Sequence, residues 1–258
     1  MIHSPLLGST RSNQFLELEP SWSIVSPDFE LSFRYVDLWR FHLDLPATDE
    51  DLLQQVLSEE ELTRANRFKF ERDRRRFIMA RGQLRNILGR YLGTDPQELA
   101  FSYGPRGKPH VAAPVGFNVS HSDELALVAV ACERNVGVDL EAIRVISEFE
   151  TIARRFFSSR ENAALAGMQD LERQEAFFRC WTLKEAWIKA TGDGLSQPTE
   201  SFDVAFGRDG PVRLLHVEGK PEEANRWKLV GLLPAAGYIG ALAVEGLDWE
   251  LRCFDFIV

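Results

Sequence analysis

Residues 116–141, GFNVSHSDELALVAVACERNVGVDLE, contain three predicted β-strands in close succession. The apolar runs GFNVS and LALVAVA flank the short connection HSDE, and VGVDL follows as a third run. Turn-forming and charged residues separate these runs, which favours strands over one long helix. We therefore expect two similar-sized halves that join near residues 132–136.

Helices and a further strand are predicted upstream of this stretch. FRYVDLWRFHLDL (33–45) alternates apolar and polar residues, as a half-buried strand does. Ser58 and Glu61 have the spacing of a capping box, which begins a helix. A second helix runs through Tyr91 and ends at Gly93, and SYGPRGKP (102–109) is predicted to be a loop. The apolar positions of the second helix recur at steps of three and four: Phe77, Ala80, Leu84, Ile87, Leu88 and Tyr91.

The downstream half partly repeats this order. Helices are predicted over 150–157 and 171–190, and Gly192 and Gly194 stop the second of them. Strands are predicted at 201–206, 211–217, 226–233, 237–244 and 248–256. The fold class is therefore α+β, with two similar α/β halves. We expect a loose or draped N-terminal tail (1–30), an N-terminal half (31–133) and a C-terminal half (134–258).

Composition sets the broad class of protein. The chain has 258 residues, of which 45% are hydrophobic, enough for a sizeable core. Its cysteines, Cys132, Cys180 and Cys253, are far apart, which excludes a disulfide scaffold and suits a reducing cytosol. MIHSPLLGSTRSNQ (1–14) lacks the apolar run of a signal peptide, and the uncharged stretch Leu229–Val244 is too short to span a bilayer. We expect a soluble, cytoplasmic protein without a membrane anchor.

The net charge of −9 argues against a general nucleic-acid binder. However, residues 64–90 carry ten basic residues against only Glu71 and Asp73. This basic segment has two open interpretations: a solvated helix face, or a site for phosphate or an acidic partner.

Two pairs of charged residues indicate a candidate functional site. Asp139 and Glu141 are two apart on a predicted strand, so they share one face; a cation site and chance at the surface are equally favoured for this pair alone. Glu185 and Lys189 are one turn apart on a predicted helix, where an exposed ion pair is the simpler interpretation. Together these residues fit a Mg²⁺-assisted reaction on phosphate.

Two further residues are candidates. His121 is predicted in the connection between two strands, where a structural histidine is the common case. Lys108 lies in a glycine-rich loop whose backbone N–H groups can approach a nucleotide.

Taken together, the ordered segments GKP (107–109), FNVSHS (117–122), VGVDLE (136–141) and FFRCWTLKEAWIKATGDGLS (177–196) resemble the 4′-phosphopantetheinyl transferases of the surfactin-synthetase activating type. RANRFKFERDRRRFIMARGQLR (64–85) is similar to the N-terminal helix region of that family. The resemblance implies a pseudo-twofold monomer with coenzyme A between its halves. It also implies transfer of the phosphopantetheine arm to a carrier-protein serine, with release of adenosine 3′,5′-bisphosphate.

The resemblance also implies roles for individual residues. Asp139, Glu141 and Glu185 would hold Mg²⁺, with Mn²⁺ as an alternative, and Glu185 would be the base, directly or through water. Lys189 and His121 would contact the pyrophosphate or the 3′-phosphate region. The remaining coenzyme A contacts would be Arg64, Tyr103, Gly104, Arg106, Gly107, Lys108 and Ser120.

The partners implied are acyl, peptidyl or polyketide carrier proteins, which are generally acidic, with no nucleic acid and no membrane. A basic docking surface is expected on arginines of 67–85 and on Arg154, Arg155, Phe156 and Phe157; for the last segment, phenylalanines in the core are an equal alternative. Two other classes of protein share some of these features. A Mg²⁺-dependent nuclease commonly has an acidic-x-Lys step, which is missing after Glu141, and an RNA-binding module leaves the carboxylates unexplained.

Overall fold

The structure, a computed structural model, describes residues 17–24, 29–44, 46–192, 198–206 and 211–256. Within these ranges it contains eleven strands and six α-helices. The strands are β1 (Tyr35–His42), β2 (Ser102–Tyr103), β3 (Pro109–His110), β4 (Val115–Ser122), β5 (Leu125–Cys132), β6 (Val136–Ala142), β7 (Phe202–Ala205), β8 (Arg213–Val217), β9 (Trp227–Leu232), β10 (Tyr238–Glu245) and β11 (Glu250–Asp255). The helices are α1 (Ala47–Gln55), α2 (Glu59–Ala65), α3 (Glu71–Leu92), α4 (Phe149–Phe156), α5 (Ser159–Ala166) and α6 (Asp170–Thr191).

Two larger sheets organise the fold. The first has the strand order β11-β1-β5-β4 and the second has the order β6-β10-β9. β11 runs parallel to β1, whereas the other neighbours in both sheets are antiparallel. β2 and β3 form one small hairpin, and β7 and β8 form another.

Alternating side chains place a helix on the outer face of each sheet. On β5, Val128 packs in one core with residues of α3, whereas Leu127 packs toward the second sheet. On β6, Val138 also lies in the core between the sheets. The opposite face of β6, which carries Asp139, is therefore turned toward α6.

The two halves repeat one local arrangement. Ser58 and Glu61 form a capping box at α2, and Ser158 and Glu161 form another at α5. Each glutamate is buried and also binds a cation from the long helix that follows: Glu61 binds Arg85 of α3, and Glu161 binds Lys184 of α6. This repetition agrees with the pseudo-twofold relation that the resemblance implied.

Side chains join the edge strands β4 and β6. The Val138 N–H donates to Asn118 Oδ1 at 2.9 Å, and the Ala142 N–H donates to Ser122 Oγ at 3.0 Å. Gly137 lets α6 approach β6 closely, because a Cβ there would lie 2.1 Å from the Ala186 carbonyl oxygen. The strands and α6 are thus held where the acidic residues of β6 meet the helix.

Most predicted elements are confirmed, including the long second helix ending at a left-handed Gly93 and the strands of both halves. The turn-rich loop contains the short strands β2 and β3, and α1 and α5 were not predicted. Gly194 lies outside the described residues. The division at residue 133 stays a prediction, and the sheet order adds that β11 lies in the sheet of the first half.

The N-terminal tail is draped rather than loose over residues 17–24. Leu18 exchanges backbone hydrogen bonds with Gly231 and Leu233 beside β9, and Ser23 does so with residues of β11. The segment therefore covers one free edge of each sheet. Among the described residues, no helix is both long enough and apolar enough to cross a lipid bilayer.

Candidate functional site

The candidate site lies where β4, β6 and α6 meet. Lys189 of α6 donates from Nζ to Asp139 Oδ1 at 2.6 Å and to Ser120 Oγ at 2.9 Å. Ser120 itself donates to Asp139 Oδ1 at 3.1 Å. Two residues further along β6, Glu141 Oε2 lies 3.3 Å from Ser122 Oγ and 3.5 Å from Arg144. Two serines of one strand face thus pair with two carboxylates of the neighbouring strand.

The carboxylates in this cluster act on one another. Burial raises the pKa of Asp139, and the Lys189 ammonium opposes that effect. Burial and the charge of Asp139 raise the pKa of Glu141. Burial, then Asp139 and Glu141, raise the pKa of Glu185, against the influence of Lys189. Like charges held close together in this way favour either a proton or a bound cation.

These residues fit a divalent cation in their chemistry, although they do not form a closed cage. No group of three or more His, Cys, Asp and Glu side chains converges to metal-binding distance in the part of the chain that the structure describes. Lys189 is the counter-ion of Asp139 instead. However, Asp139 Oδ2 is buried and lacks a hydrogen-bond partner among the described residues. Carboxylate oxygens of this kind are ligands that Mg²⁺ accepts, with water or substrate phosphate completing its coordination.

His121 lies on the opposite face of β4 from Ser120. The structure extends β4 through Ser122, so the predicted position of His121 in the connecting loop is wrong. The turn is shorter, with Asp123 in the left-handed region at φ 48°. Desolvation of the imidazole, followed by the charges of Lys189 and Arg76, lowers the pKa of His121. Both effects favour the neutral form of the imidazole.

Lys108 has partners that the sequence did not predict. Its ammonium donates to the carbonyl oxygens of Lys189 at 2.6 Å, Ala190 at 2.9 Å and Val136 at 3.0 Å. Burial lowers its pKa to about 8. The assignment of Lys108 to coenzyme A stays a prediction, and the structure shows it bound to α6 and β6.

Arg64 and Tyr103 meet at a cavity of about 220 Å³. Its other lining residues are Glu60, Glu61, Phe77 and Arg81. The Arg81 guanidinium donates to Tyr103 Oη at 2.6 Å. The predicted site did not include Arg81; its position one helical turn after Phe77 on the same face was the available signal. The hairpin residues Gly104, Arg106 and Gly107 lie between Tyr103 and Lys108 in the sequence, and Arg106 and Gly107 are exposed.

Arg76 is a second residue near the site that the sequence analysis missed. It forms a bidentate ion pair with Asp44 at 2.7 and 2.9 Å and lies 3.8 Å from Asp123. Its positive charge helps to lower the pKa of His121. Nothing in the run of six charges at 71–76 distinguishes Arg76 from its neighbours.

Most cations of the basic segment are structural. Arg74 and Arg75 bind Glu50 of α1, and Arg81 and Arg85 bind the buried Glu61. These acidic partners precede residue 64, so the charges that oppose the segment lie in contact with it. Arg67, Lys69 and Arg72 are exposed and could meet a partner.

The two interpretations of residues 154–157 each hold for part of that segment. Arg154 and Arg155 are exposed, whereas Phe157 is buried and packs on Phe177 of α6. Phe156 is half-buried against Trp181. The phenylalanines thus anchor α4 to α6, and only the arginines are available to a partner.

Comparison with known proteins identifies the family. Residues 135–243 match the 4′-phosphopantetheinyl transferase superfamily, and residues 46–133 match the N-terminal region of 4′-phosphopantetheinyl transferases. The chain is 42% identical over 244 residues to the 4′-phosphopantetheinyl transferase HetI of Nostoc sp., covering 93% of this chain and all of that protein. It is 30% identical over 181 residues to the 4′-phosphopantetheinyl transferase Sfp of Bacillus subtilis, covering 69% of this chain and 80% of that protein. The chain belongs to the 4′-phosphopantetheinyl transferase family.

A solved structure also aligns with part of the chain. The holo-[acyl-carrier-protein] synthase of Thermotoga maritima covers 43% of this chain and 62% of its own, with 24% identity and a TM-score of 0.36. The family membership rests on the sequence relatives.

Proposed function

We propose that this chain transfers the 4′-phosphopantetheine group from coenzyme A to a serine of an apo carrier protein and releases adenosine 3′,5′-bisphosphate. Membership of the family supports the reaction. The observation that carries the site is Asp139, a buried carboxylate with one unsatisfied oxygen, which shares its other oxygen with Ser120 and Lys189.

The chemical step needs a base and a stabilised leaving group. The serine oxygen of the carrier attacks the phosphorus that bears the pantetheine arm, and the bond from this phosphorus to the bridging oxygen of the pyrophosphate breaks. Glu185 would accept the hydroxyl proton, directly or through water, as the general base. Adenosine 3′,5′-bisphosphate leaves with the bridging oxygen.

Asp139, Glu141 and Glu185 would hold Mg²⁺, or Mn²⁺ in its place. When bound, the ion supplies charge neutralisation for the pyrophosphate oxygens. Lys189 would then be available to contact the pyrophosphate, because the metal ion would be a second counter-ion for Asp139. His121 would approach the same phosphates from the other face of β4.

The cavity of Arg64, Arg81 and Tyr103 would take the adenosine end of coenzyme A. Its volume is smaller than the roughly 300–1,000 Å³ of pockets that enclose a whole drug-sized ligand, so it would hold only part of the molecule. Arg64 suits a phosphate group, and the Tyr103 ring suits a planar base.

The carrier would dock on exposed cations. The candidates are Arg67, Lys69 and Arg72 on one side, and Arg154 and Arg155 on the other. Acidic carriers would be steered toward them. Because one chain supplies both Ser120 and Asp139, a monomer would suffice, and three free thiols suit the cytosol.

The reaction is tested by following adenosine 3′,5′-bisphosphate by chromatography after the protein is mixed with coenzyme A, Mg²⁺ and an apo carrier. Release should require all four components. Equal release with a carrier whose serine is replaced by alanine would indicate hydrolysis and contradict the transfer.

A further inference from the structure

The last turn of α6 ends beside the β2–β3 hairpin of the other half. The final carbonyl groups of a helix lack partners within the helix. At α6 the left-handed Gly192 donates its N–H to the Ile188 carbonyl, so that one acceptor is satisfied. The carbonyls of Lys189 and Ala190 instead accept from Lys108.

All three donors of the Lys108 ammonium have carbonyl acceptors. An ammonium has three N–H bonds. Two point to α6, and the third points to the Val136 carbonyl at the start of β6, at 3.0 Å. The negative end of the helix dipole favours a cation at this place.

The backbone of the β2–β3 hairpin fixes the position of Lys108. The Gly104 N–H donates to the Lys108 carbonyl at 3.0 Å, and Gly107 has φ 81°, a conformation that favours glycine. Backbone constraints therefore aim the side chain at α6 from the adjacent half of the molecule.

Lys108 holds the backbone of the residue that carries the site ammonium. The Lys189 carbonyl accepts from Lys108, and the Lys189 Nζ contacts Asp139 and Ser120. We infer that Lys108 is a positioning residue, which caps α6 and fixes Lys189 over Asp139 rather than binding a phosphate of coenzyme A. To bind a phosphate instead, Lys108 would have to give up its three hydrogen bonds to backbone carbonyls and leave the end of α6 uncapped.

This inference rests on the proposed function for its kinetic part only, and two measurements separate the two. The first is hydrogen–deuterium exchange of the α6 peptide covering residues 184–192 in the wild type, Lys108→Met and Lys108→Arg. Lys108→Met should speed exchange of the last turn at least ~10-fold, because the cap is lost. Lys108→Arg, which keeps the donors and the charge, should retain most of the protection and provides a folded variant. Wild-type protection in Lys108→Met would overturn the inference whatever the activity.

The second measurement is transfer to an apo carrier from coenzyme A and from coenzyme A lacking its 3′-phosphate. Lys108→Met should lower kcat at least ~10-fold with either donor through misplacement of Lys189. Lys220→Met, at an exposed turn after β8, is the matched control and should keep wild-type rates. A loss confined to the KM for coenzyme A, and absent with the dephosphorylated donor, would make Lys108 a phosphate ligand and overturn the inference. No transfer by the wild type would contradict the proposed function, and the exchange measurement would still decide the role of Lys108.

Discussion

Lys189 Nζ lies 2.6 Å from Asp139 Oδ1, and both groups come from elements that meet only because Gly137 lacks a side chain. The pair joins the C-terminal turn of α6 to the centre of β6. Ser120 of the other half completes the contact. The site is thus assembled from both halves, and its charge balance depends on how α6 is placed.

Removal of the Glu185 carboxylate should abolish transfer. In Glu185→Gln the side chain keeps its size but loses its charge and its basicity, so kcat should fall by roughly 100-fold or more. The matched control is Glu175→Gln on the same helix, where the carboxylate is half-exposed and pairs with Arg179. A rate of Glu185→Gln within a few-fold of the wild type, at an unchanged melting temperature, would remove Glu185 from the site.

The carboxylate cluster should make the protein in EDTA less stable as pH rises. The raised pKa values of Asp139, Glu141 and Glu185 mean that the folded state binds protons more tightly than the unfolded chain. Their contribution to the free energy of unfolding therefore decreases as pH rises from the usual carboxyl value of about 4 through the raised values.

This pH dependence is measurable as melting temperature against pH in EDTA. Glu141→Gln should flatten the decrease and raise the melting temperature near pH 8, whereas the exposed Asp248→Asn should not. Mg²⁺ should stabilise the wild type more than Glu141→Gln. A lower melting temperature of Glu141→Gln across the whole range would contradict like-charge repulsion in the cluster.

The buried pair Glu161–Lys184 should hold the C-terminal half together. Both side chains are almost fully buried, and Glu161 also accepts from the Val204 N–H at 2.8 Å. Lys184→Met leaves the carboxylate uncompensated and should cost about 3–5 kcal/mol in the free energy of unfolding. Glu71→Gln, which breaks an exposed pair with Arg74, should cost no more than about 1 kcal/mol. Urea titrations of the two variants provide the comparison, and equal losses would be inconsistent with a structural role for the buried pair.

Charge reversal at exposed cations should weaken carrier docking. Arg67, Lys69 and Arg72 form one set and Arg154 and Arg155 the other. Reversal of either set should raise the KM for the carrier more than the KM for coenzyme A, and added salt should reduce the difference. Arg213→Glu on β8 is the control. Equal changes in both KM values would contradict a docking role for that set.

Much of this fold follows from short-range signals in the sequence. The strand pattern of β1, the capping box at Ser58 and the glycine stop at Gly93 are local, and the structure confirms all three elements. The predicted half-burial of β1 is wrong, because β1 lies between β11 and β5 and is buried on both faces from Val36 to Trp39. The α5 helix was predictable from the same kind of signal, since Ser158 and Glu161 repeat the capping-box spacing. Its few apolar residues concealed it.

The placement of the site could be predicted only in part. The spacing along β6 predicts that Asp139 and Glu141 share one face, and the spacing along α6 predicts the same for Glu185 and Lys189. The other contacts of the site join residues that are far apart in the sequence. Lys108 and Lys189 are 81 positions apart, and only the packed structure shows that one holds the other. Similarly, the charge of the basic segment did not reveal that Glu50 and Glu61 each bind two of its arginines.

The central claim is tested most directly by intact-mass spectrometry of an apo carrier protein incubated with coenzyme A, Mg²⁺ and either the wild type or Glu185→Gln. The account predicts that the carrier gains one phosphopantetheine mass on its serine with the wild type, and that the gain disappears with Glu185→Gln and in EDTA. No mass gain on fatty-acid, polyketide or peptide-synthetase carriers with the folded wild type would contradict the account.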